Sequence, residues 1–253
     1  MAEYIETFAR MEKKYSMSAE QFGELIGCIG GRIRPDLYFD SEVNSLYFDT
    51  PDRRLIRHSM EKPVYKEKLR LRTYGSSVSE NTTAFAEIKK KYDGCVYKRR
   101  VDGTYSELLG WLSGKARCPG DSQIHREIDY FVRRYEDLKP AMRIAYRRLA
   151  YVLKEDPAVR ITFDREVLWR DSDLNTQADA TGRVLLSEDT VLMEIKVLRK
   201  AIPLWLIQTM DELGIRPSSL SKYGAAYMIS TSAAPVQYFY TIPAFTERLL
   251  SYV

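Results

Sequence analysis

The sequence predicts an α+β fold built around a barrel or curled antiparallel sheet, in a single domain spanning residues 1–253. Three observations predict it. Eight runs alternate apolar and polar residues in the way strands do, only a few segments carry helical periodicity, and no linker or low-complexity tract divides the chain. The interruptions at Gly75–Ser79 and Asp171–Asp179 are of loop length.

Helices are signalled first at Ser18–Gly30. Ser18 and Gln21 make a capping box, Phe22, Leu25, Ile26 and Ile29 share a face, and Gly30-Gly31 stops the pattern. Cys28 lies near this stripe and is expected in the core. Further helices are expected over Ser106–Leu112, Gln123–Asp137 and Leu204–Leu213, with a closing tail or helix over 237–253. The strand-like runs are Tyr4–Tyr15, Ser45–Phe48, Lys66–Tyr74, Ala84–Lys91, Val96–Val101, Ala141–Lys154, Ala158–Leu168 and Val191–Val197.

Composition excludes several classes. No stretch approaches the roughly 18 apolar residues of a membrane helix, and the opening Glu3, Glu6 and Arg10 do not form a secretion signal. Cys28, Cys95 and Cys118 have neither the count nor the spacing of a disulfide frame or zinc site, so a cytoplasmic protein is expected. There is no GxxxxGK[ST] or GxGxxG loop, no nucleophile elbow and no metal-type spacing at His58 or His125. The eighteen tyrosines mostly alternate within strands or flank turns, which favours packing over base stacking.

The informative feature is where the charges sit. Residues two apart share a face of a strand. Lys68, Arg70 and Arg72 therefore oppose Leu69 and Leu71, while Glu87 and Lys89 oppose Ala86 and Ile88. Arg160, Thr162 and Asp164 oppose Ile161 and Phe163. Glu194 and Lys196 repeat the pattern, as do Arg10, Glu12 and Lys14, and Lys98 with Arg100. A solvated sheet face explains any one such strand. Six strands rich in Arg and Lys, with few carboxylates, point to a shared cationic interior that needs a compensating anion. A polyphosphate group has the charge density and the oxygen acceptors to serve. Glu194, set in an apolar strand, suits a hard divalent cation that bridges to phosphate, or equally a buried ion pair with a neighbouring cation.

The order of Tyr47-Phe48-Asp49-Thr50-Pro51-Asp52 and Lys68-Leu69-Arg70-Leu71-Arg72 resembles the CYTH and triphosphate tunnel metalloenzyme superfamily. Within it, the chain is most similar to the VTC domain, the catalytic domain of the vacuolar transporter chaperone polyphosphate polymerase, from about Arg10 to Tyr227. The resemblance implies an eight-stranded antiparallel β-barrel with flanking helices, the triphosphate tunnel fold. It implies phosphate- or nucleotide-binding roles for Lys14, Arg70, Arg72, Lys89, Lys98, Arg148 and Arg160. It also implies a metal role for Glu194, with Glu12 as a further carboxylate, and a catalytic role for Lys222 in Leu220-Ser221-Lys222-Tyr223. The implied cofactor is Mn²⁺ or Mg²⁺, and the implied partners are ATP and inorganic polyphosphate, with no nucleic acid.

The superfamily's hydrolases open on Glu-x-Glu-x-Lys, whereas Arg10 holds the first position here and leaves Glu12 alone. The lower carboxylate count favours a polymerase that transfers the ATP γ-phosphoryl group to polyphosphate. A tunnel triphosphatase and a non-catalytic polyphosphate- or nucleotide-binding module are the alternatives.

Overall fold

The alternating runs become strands of one antiparallel sheet. The computed structural model describes residues 10–93, 95–174, 181–198, 201–232 and 239–241. The first strand, β1 (Arg10–Ser18), passes directly into α1 (Ala19–Ile29). The expected capping box forms: Gln21 N donates to Ser18 Oγ at 3.1 Å, and Ser18 N donates to Gln21 Oε1 at 3.0 Å. Phe22, Leu25 and Ile29 are buried, but Cys28 is exposed, because it falls off that stripe.

After a 3₁₀ turn at Gly30–Arg32, β2 runs over Ile33–Asp49, far longer than the expected Ser45–Phe48. It pairs with β3 (Tyr65–Tyr74) only over Val43–Phe48, so its first half lacks that neighbour and tolerates Pro35. Between β2 and β3 lies α2 (Arg54–Met60), which the sequence signals missed. Its cap is remote. Asp49 Oδ1 accepts from Leu55 N at 2.8 Å, and Oδ2 accepts from Ile56 N at 3.0 Å.

Next come β4 (Thr83–Tyr92), β5 (Cys95–Thr104), α3 (Tyr105–Leu112) and α4 (Gln123–Arg134). Then β6 (Lys139–Leu153), β7 (Arg160–Arg170), β8 (Thr181–Val184), β9 (Thr190–Leu198) and α5 (Leu204–Glu212) follow. The described chain finishes with β10 (Arg216–Pro217), α6 (Lys222–Thr231) and β11 (Phe239–Thr241). Residues 4–9 of the expected first strand, and the rest of the expected closing segment, lie outside the described residues.

The expected closed eight-stranded barrel is not what forms. The described residues make an eleven-stranded sheet in the order β10-β1-β9-β7-β6-β2-β3-β4-β5, with β8 and β11 attached beside β7. The sheet curls until β1 and β5 stand side by side, yet no ladder joins them among the described residues. Strand twist supplies the curl. It does not supply closure, because part of the closing edge of β1 is taken by β10, at Tyr15 and Ser16.

Helices cover the convex face. α1 and α5 pack on Tyr15, Met17, Ile161, Phe163, Met193 and Ile195, and α3 and α4 pack on Leu69, Leu71, Ala86 and Ile88. Burying these apolar sides turns their alternate neighbours, the charged residues, to the concave face.

Candidate anion site on the concave face

Glu87 anchors one half of the concave face. It is 2% exposed and receives Arg70 Nη2 at 2.7 Å and Lys98 Nζ at 2.6 Å, with Arg72 Nε at 3.8 Å and Arg100 Nε at 3.7 Å. β4 sits between β3 and β5, so one carboxylate faces cations from both neighbours: Glu87 lies opposite Arg70 and opposite Arg100. Burial alone would push its pKa up, but Arg70, Arg72 and Lys98 hold it well below the usual carboxylate range. Lys98 shows 41% of its side chain to solvent although its ammonium rests on Glu87. Burial of that ammonium takes its pKa down to about 7, against the pull of Glu87.

Asp164 anchors the other half. Arg148 grips it in a fork, Nε to Oδ1 at 2.6 Å and Nη2 to Oδ2 at 2.8 Å, and Lys222 Nζ reaches Oδ2 at 2.5 Å. Burial opposes its ionisation, but Arg148 and Lys222 hold it below the usual range. Lys222 is the first residue of α6, whose cap Ser221 accepts from Gly224 N at 3.3 Å. Both cations also lie over the Tyr146 ring, Lys222 at 4.5 Å and Arg148 at 5.2 Å.

Glu194 and Glu12 lie between these anchors. β1 places Lys14 opposite Glu194 and Glu12 opposite Lys196, so the two carboxylates are diagonal neighbours across one ladder. Glu194 Oε2 accepts from Lys196 Nζ at 2.8 Å, and Glu12 Oε2 accepts from Lys89 Nζ at 2.7 Å. Burial would raise the pKa of Glu194, but Lys196 and Lys14 hold it well below the usual range. Burial lowers Lys14, and lowers Lys196 to about 8.

The last part of the face connects to α6. Lys68 Nζ donates to Ser221 Oγ at 3.1 Å, and burial brings its pKa down to about 8. Tyr47 stacks on Tyr223 at 4.5 Å. Burial would raise the Tyr47 phenol, but Arg70, Arg72 and Lys68 hold it at about 8. Tyr223 OH donates to Asp49 Oδ2 at 2.8 Å, so Asp49 ties α6 as well as α2 to the end of β2.

The structure therefore gathers Lys14, Arg70, Arg72, Lys89, Lys98, Arg148, Lys222, Glu12 and Glu194 on one face. Arg160, the first residue of β7, lies on the same face opposite Lys196, at its half-exposed rim, where Nε meets Asp36 Oδ2 at 2.6 Å. Glu87 and Asp164 as anchors, and Lys68, Lys196 and Arg100 as further cations, are not among the site residues that the family resemblance implies. Strand alternation put all five on the right face. What it could not show is how the curl brings β1, β4 and β7 together. Tyr47 and Tyr146 carried no signal beyond that alternation.

Among the described residues these ten cationic side chains, with Arg160 beside them, share the face with Glu12, Glu87, Asp164 and Glu194, each already engaged by at least one of them. The arrangement can hold a compact, highly charged anion. His58 and His125 take no part; they hydrogen-bond Glu61 and Ser122. Among the described residues no three His, Cys, Asp or Glu side chains cluster as a metal site, so any cation here would lean on one or two carboxylates.

The VTC domain family model matches residues 9–231. The chain belongs to the VTC domain family. No curated protein matches this VTC domain. Solved structures similar to it include a protein provisionally named an adenylate cyclase from Vibrio parahaemolyticus. That protein is 10% identical over 88% of this chain and 99% of its own, with a TM-score of 0.47. Another with the same provisional name, from Bacillus halodurans, is 14% identical over 96% and 95%, with a TM-score of 0.46. The PH1012 protein of Pyrococcus horikoshii is 14% identical over 81% and 92%, with a TM-score of 0.38. No described helix of the VTC domain is long and apolar enough to cross a membrane.

Proposed function

We propose that this VTC domain is a polyphosphate polymerase that transfers the γ-phosphoryl group of ATP to the end of an inorganic polyphosphate chain. The supporting observation is the cationic excess on the concave face. Its four carboxylates are consumed in holding cations in place, which leaves most of the donor capacity for a ligand with many anionic oxygens. The phosphoryl transfer itself asks mainly for positioning and charge neutralisation.

In this reading Arg70, Arg72 and Lys98, braced by Glu87, bind phosphate oxygens from one wall. Arg148 and Lys222, braced by Asp164, bind them from the other, with Lys14 and Lys89 between. Lys222 at the start of α6 orients the acceptor phosphate. A terminal oxygen of the acceptor forms the new P–O bond, the bond from the γ-phosphorus to the bridging oxygen breaks, and ADP leaves. The acceptor oxygen is already ionised near neutral pH, so no strong general base is needed. Arg160, at the rim with Asp36, touches the chain outside the reacting region.

A divalent cation suits the same face. Glu194 and Glu12 offer hard oxygen ligands from adjacent strands, the donor set with which Mg²⁺ or Mn²⁺ joins substrate phosphates. When bound, such an ion would bridge phosphate oxygens and neutralise their charge. Lys196 and Lys89 hold these carboxylates in the ligand-free arrangement, and in this reading both ammonium groups turn to phosphate when the ion takes their place.

The test is product analysis after incubation with ATP and Mn²⁺ or Mg²⁺. Polymer together with ADP supports the polymerase. Inorganic phosphate without polymer makes the protein a triphosphatase, and tight polyphosphate binding without turnover makes it a binding module.

A further inference from the structure

The start of α6 is held in two different ways. Lys14 Nζ donates to Leu220 O at 3.2 Å, Lys68 Nζ donates to Ser221 Oγ at 3.1 Å, and Lys222 Nζ donates to Asp164 Oδ2 at 2.5 Å. Each of these contacts is made by an ammonium of the concave face. A bound polyanion draws all three ammonium groups towards its own oxygens, so these restraints weaken when ligand arrives.

The next residue is tied by a contact of another kind. Tyr223 is 2% exposed, and its hydroxyl donates at 2.8 Å to Asp49, which is 1% exposed. Asp49 also accepts from three backbone N–H groups, those of Thr50 and Leu55 on Oδ1 at 2.9 and 2.8 Å and that of Ile56 on Oδ2 at 3.0 Å. Its carboxylate therefore cannot turn away without orphaning buried donors. The Tyr223 hydroxyl meets the Arg53 guanidinium as well. Ile56, Tyr223 and Ala226 pack around this point with Met142, Ile144 and Trp169. A Cβ on Gly224 would lie 2.9 Å from Met60 Sδ, which leaves α6 little room to slide past α2. A buried phenol and a carboxylate offer a phosphate nothing to capture.

The Tyr223 ring reaches the other half of the site. It stacks on Tyr47 at 4.5 Å and 20°, and Arg70, seated on Glu87, donates from Nη1 to Tyr47 OH at 3.3 Å. The Lys68 ammonium lies 5.8 Å from the centre of the Tyr223 ring. Tyr223 thus stands between the Glu87 and Asp164 halves, one residue along α6 from Lys222.

We propose, resting on the polymerase reading above, that Tyr223 and Asp49 are positioning residues for Lys222. Their bond keeps the first turn of α6 in place after the ligand has taken Lys14, Lys68 and Lys222 from their resting partners. The Lys222 ammonium then meets the acceptor phosphate from a fixed backbone. A slip of about 1 Å at such a group can cost about 10²-fold in rate.

The experiment is a double-mutant cycle on polymer formation from ATP, Mn²⁺ and a polyphosphate primer, using the wild-type chain, Tyr223→Phe, Lys222→Met and the double variant. Tyr223→Phe keeps the ring, its stack on Tyr47 and the three backbone bonds to Asp49, so all four proteins are compared below their melting temperatures. In the wild-type background Tyr223→Phe is expected to lower kcat about tenfold and to leave KM for ATP within about threefold. In the Lys222→Met background it is expected to lower kcat by less than about twofold, because the group it positions is gone. A structural role predicts otherwise: a smaller folded fraction scales both backgrounds down alike. An equal fall in the two backgrounds, or an undiminished kcat in the wild-type background, overturns the proposal and leaves the polymerase reading intact. A wild-type chain that forms no polymer overturns that reading and this proposal with it.

Discussion

Lys222, the first residue of α6, and Asp164, in the middle of β7, meet at 2.5 Å across 58 residues of sequence. Asp164 also takes the Arg148 fork, so one buried carboxylate fixes two cations from different elements. A phosphate arriving at this point competes with Asp164 for Lys222 rather than for a freely moving side chain, and so meets a donor already in place.

Replacing Lys222 by methionine should leave the fold intact, because Asp164 keeps both bonds from Arg148. Turnover should drop about 10²–10³-fold, the cost of losing one well-placed charge-stabilising donor. Thermal denaturation alongside single-turnover kinetics checks this. A melting temperature that falls in step with activity would make Lys222 a structural ion-pair partner.

Glu87→Gln should behave in the opposite way. It leaves Arg70, Arg72, Lys98 and Arg100 crowded with no carboxylate among them. The expected destabilisation is about 3–5 kcal/mol, that of an uncompensated buried charge. Added tripolyphosphate should recover more of the melting temperature in the variant than in the wild type. No recovery would mean that these cations are closed to ligand.

Much of this could be read from the sequence, and the limits have physical causes. The alternation of Lys68, Arg70 and Arg72 with Leu69 and Leu71 fixes which side of β3 is charged, whatever the rest of the chain does. The capping box at Ser18 is likewise local, and α1 forms where it says. α2 escaped notice because its cap is Asp49, several residues upstream, and its own N-cap Arg53 makes no capping bond. α6 escaped because Lys222–Thr231 has no clean apolar stripe; its buried residues, Tyr223, Gly224 and Ala226, are contiguous or nearly so, as suits a helix wedged into a concave sheet. Closure of the sheet is not legible locally. It depends on what pairs with the free edges of β1 and β5, which no local pattern encodes. Strand parity sets Arg160 opposite Lys196 on the charged face, whereas its ion-pair partner Asp36 comes from the first half of β2, which no local pattern encodes.

Stability and ligand affinity should respond to pH in opposite directions. Burial lowers Lys98 to about 7 and Lys68 and Lys196 to about 8, against an ordinary value of 10.5. Between these values the unfolded chain holds protons that the folded protein has shed, so the ligand-free protein becomes more stable as pH rises from about 7 to about 10. Over the same window these lysines lose their charge, and anion affinity falls. Binding of tripolyphosphate at pH 8 should therefore take up protons. Calorimetry in two buffers of different ionisation enthalpy reads this directly, and identical heats would refute it.

Glu194 and Arg160 should separate metal use from chain holding. Glu194→Gln removes the carboxylate proposed to hold the metal beside Lys14 and Lys196, so metal-dependent turnover should be lost while tripolyphosphate binding without metal is unchanged or tighter. Arg160→Ala, at the rim, should reduce kcat by less than about tenfold and act mainly on KM for long chains. Turnover unchanged in Glu194→Gln would remove that residue from the metal site.

The central claim is that the γ-phosphoryl group of ATP is the unit added to the polymer. Its most direct measurement follows radiolabel from ATP labelled at the γ-phosphate, and separately at the α-phosphate, into material resolved as polyphosphate. The account predicts γ-label in chains of increasing length, no α-label in them, and labelled polymer formed about 10²–10³-fold more slowly by Lys222→Met. γ-Label recovered only as inorganic phosphate, or label entering polymer equally from the α-position, would contradict it.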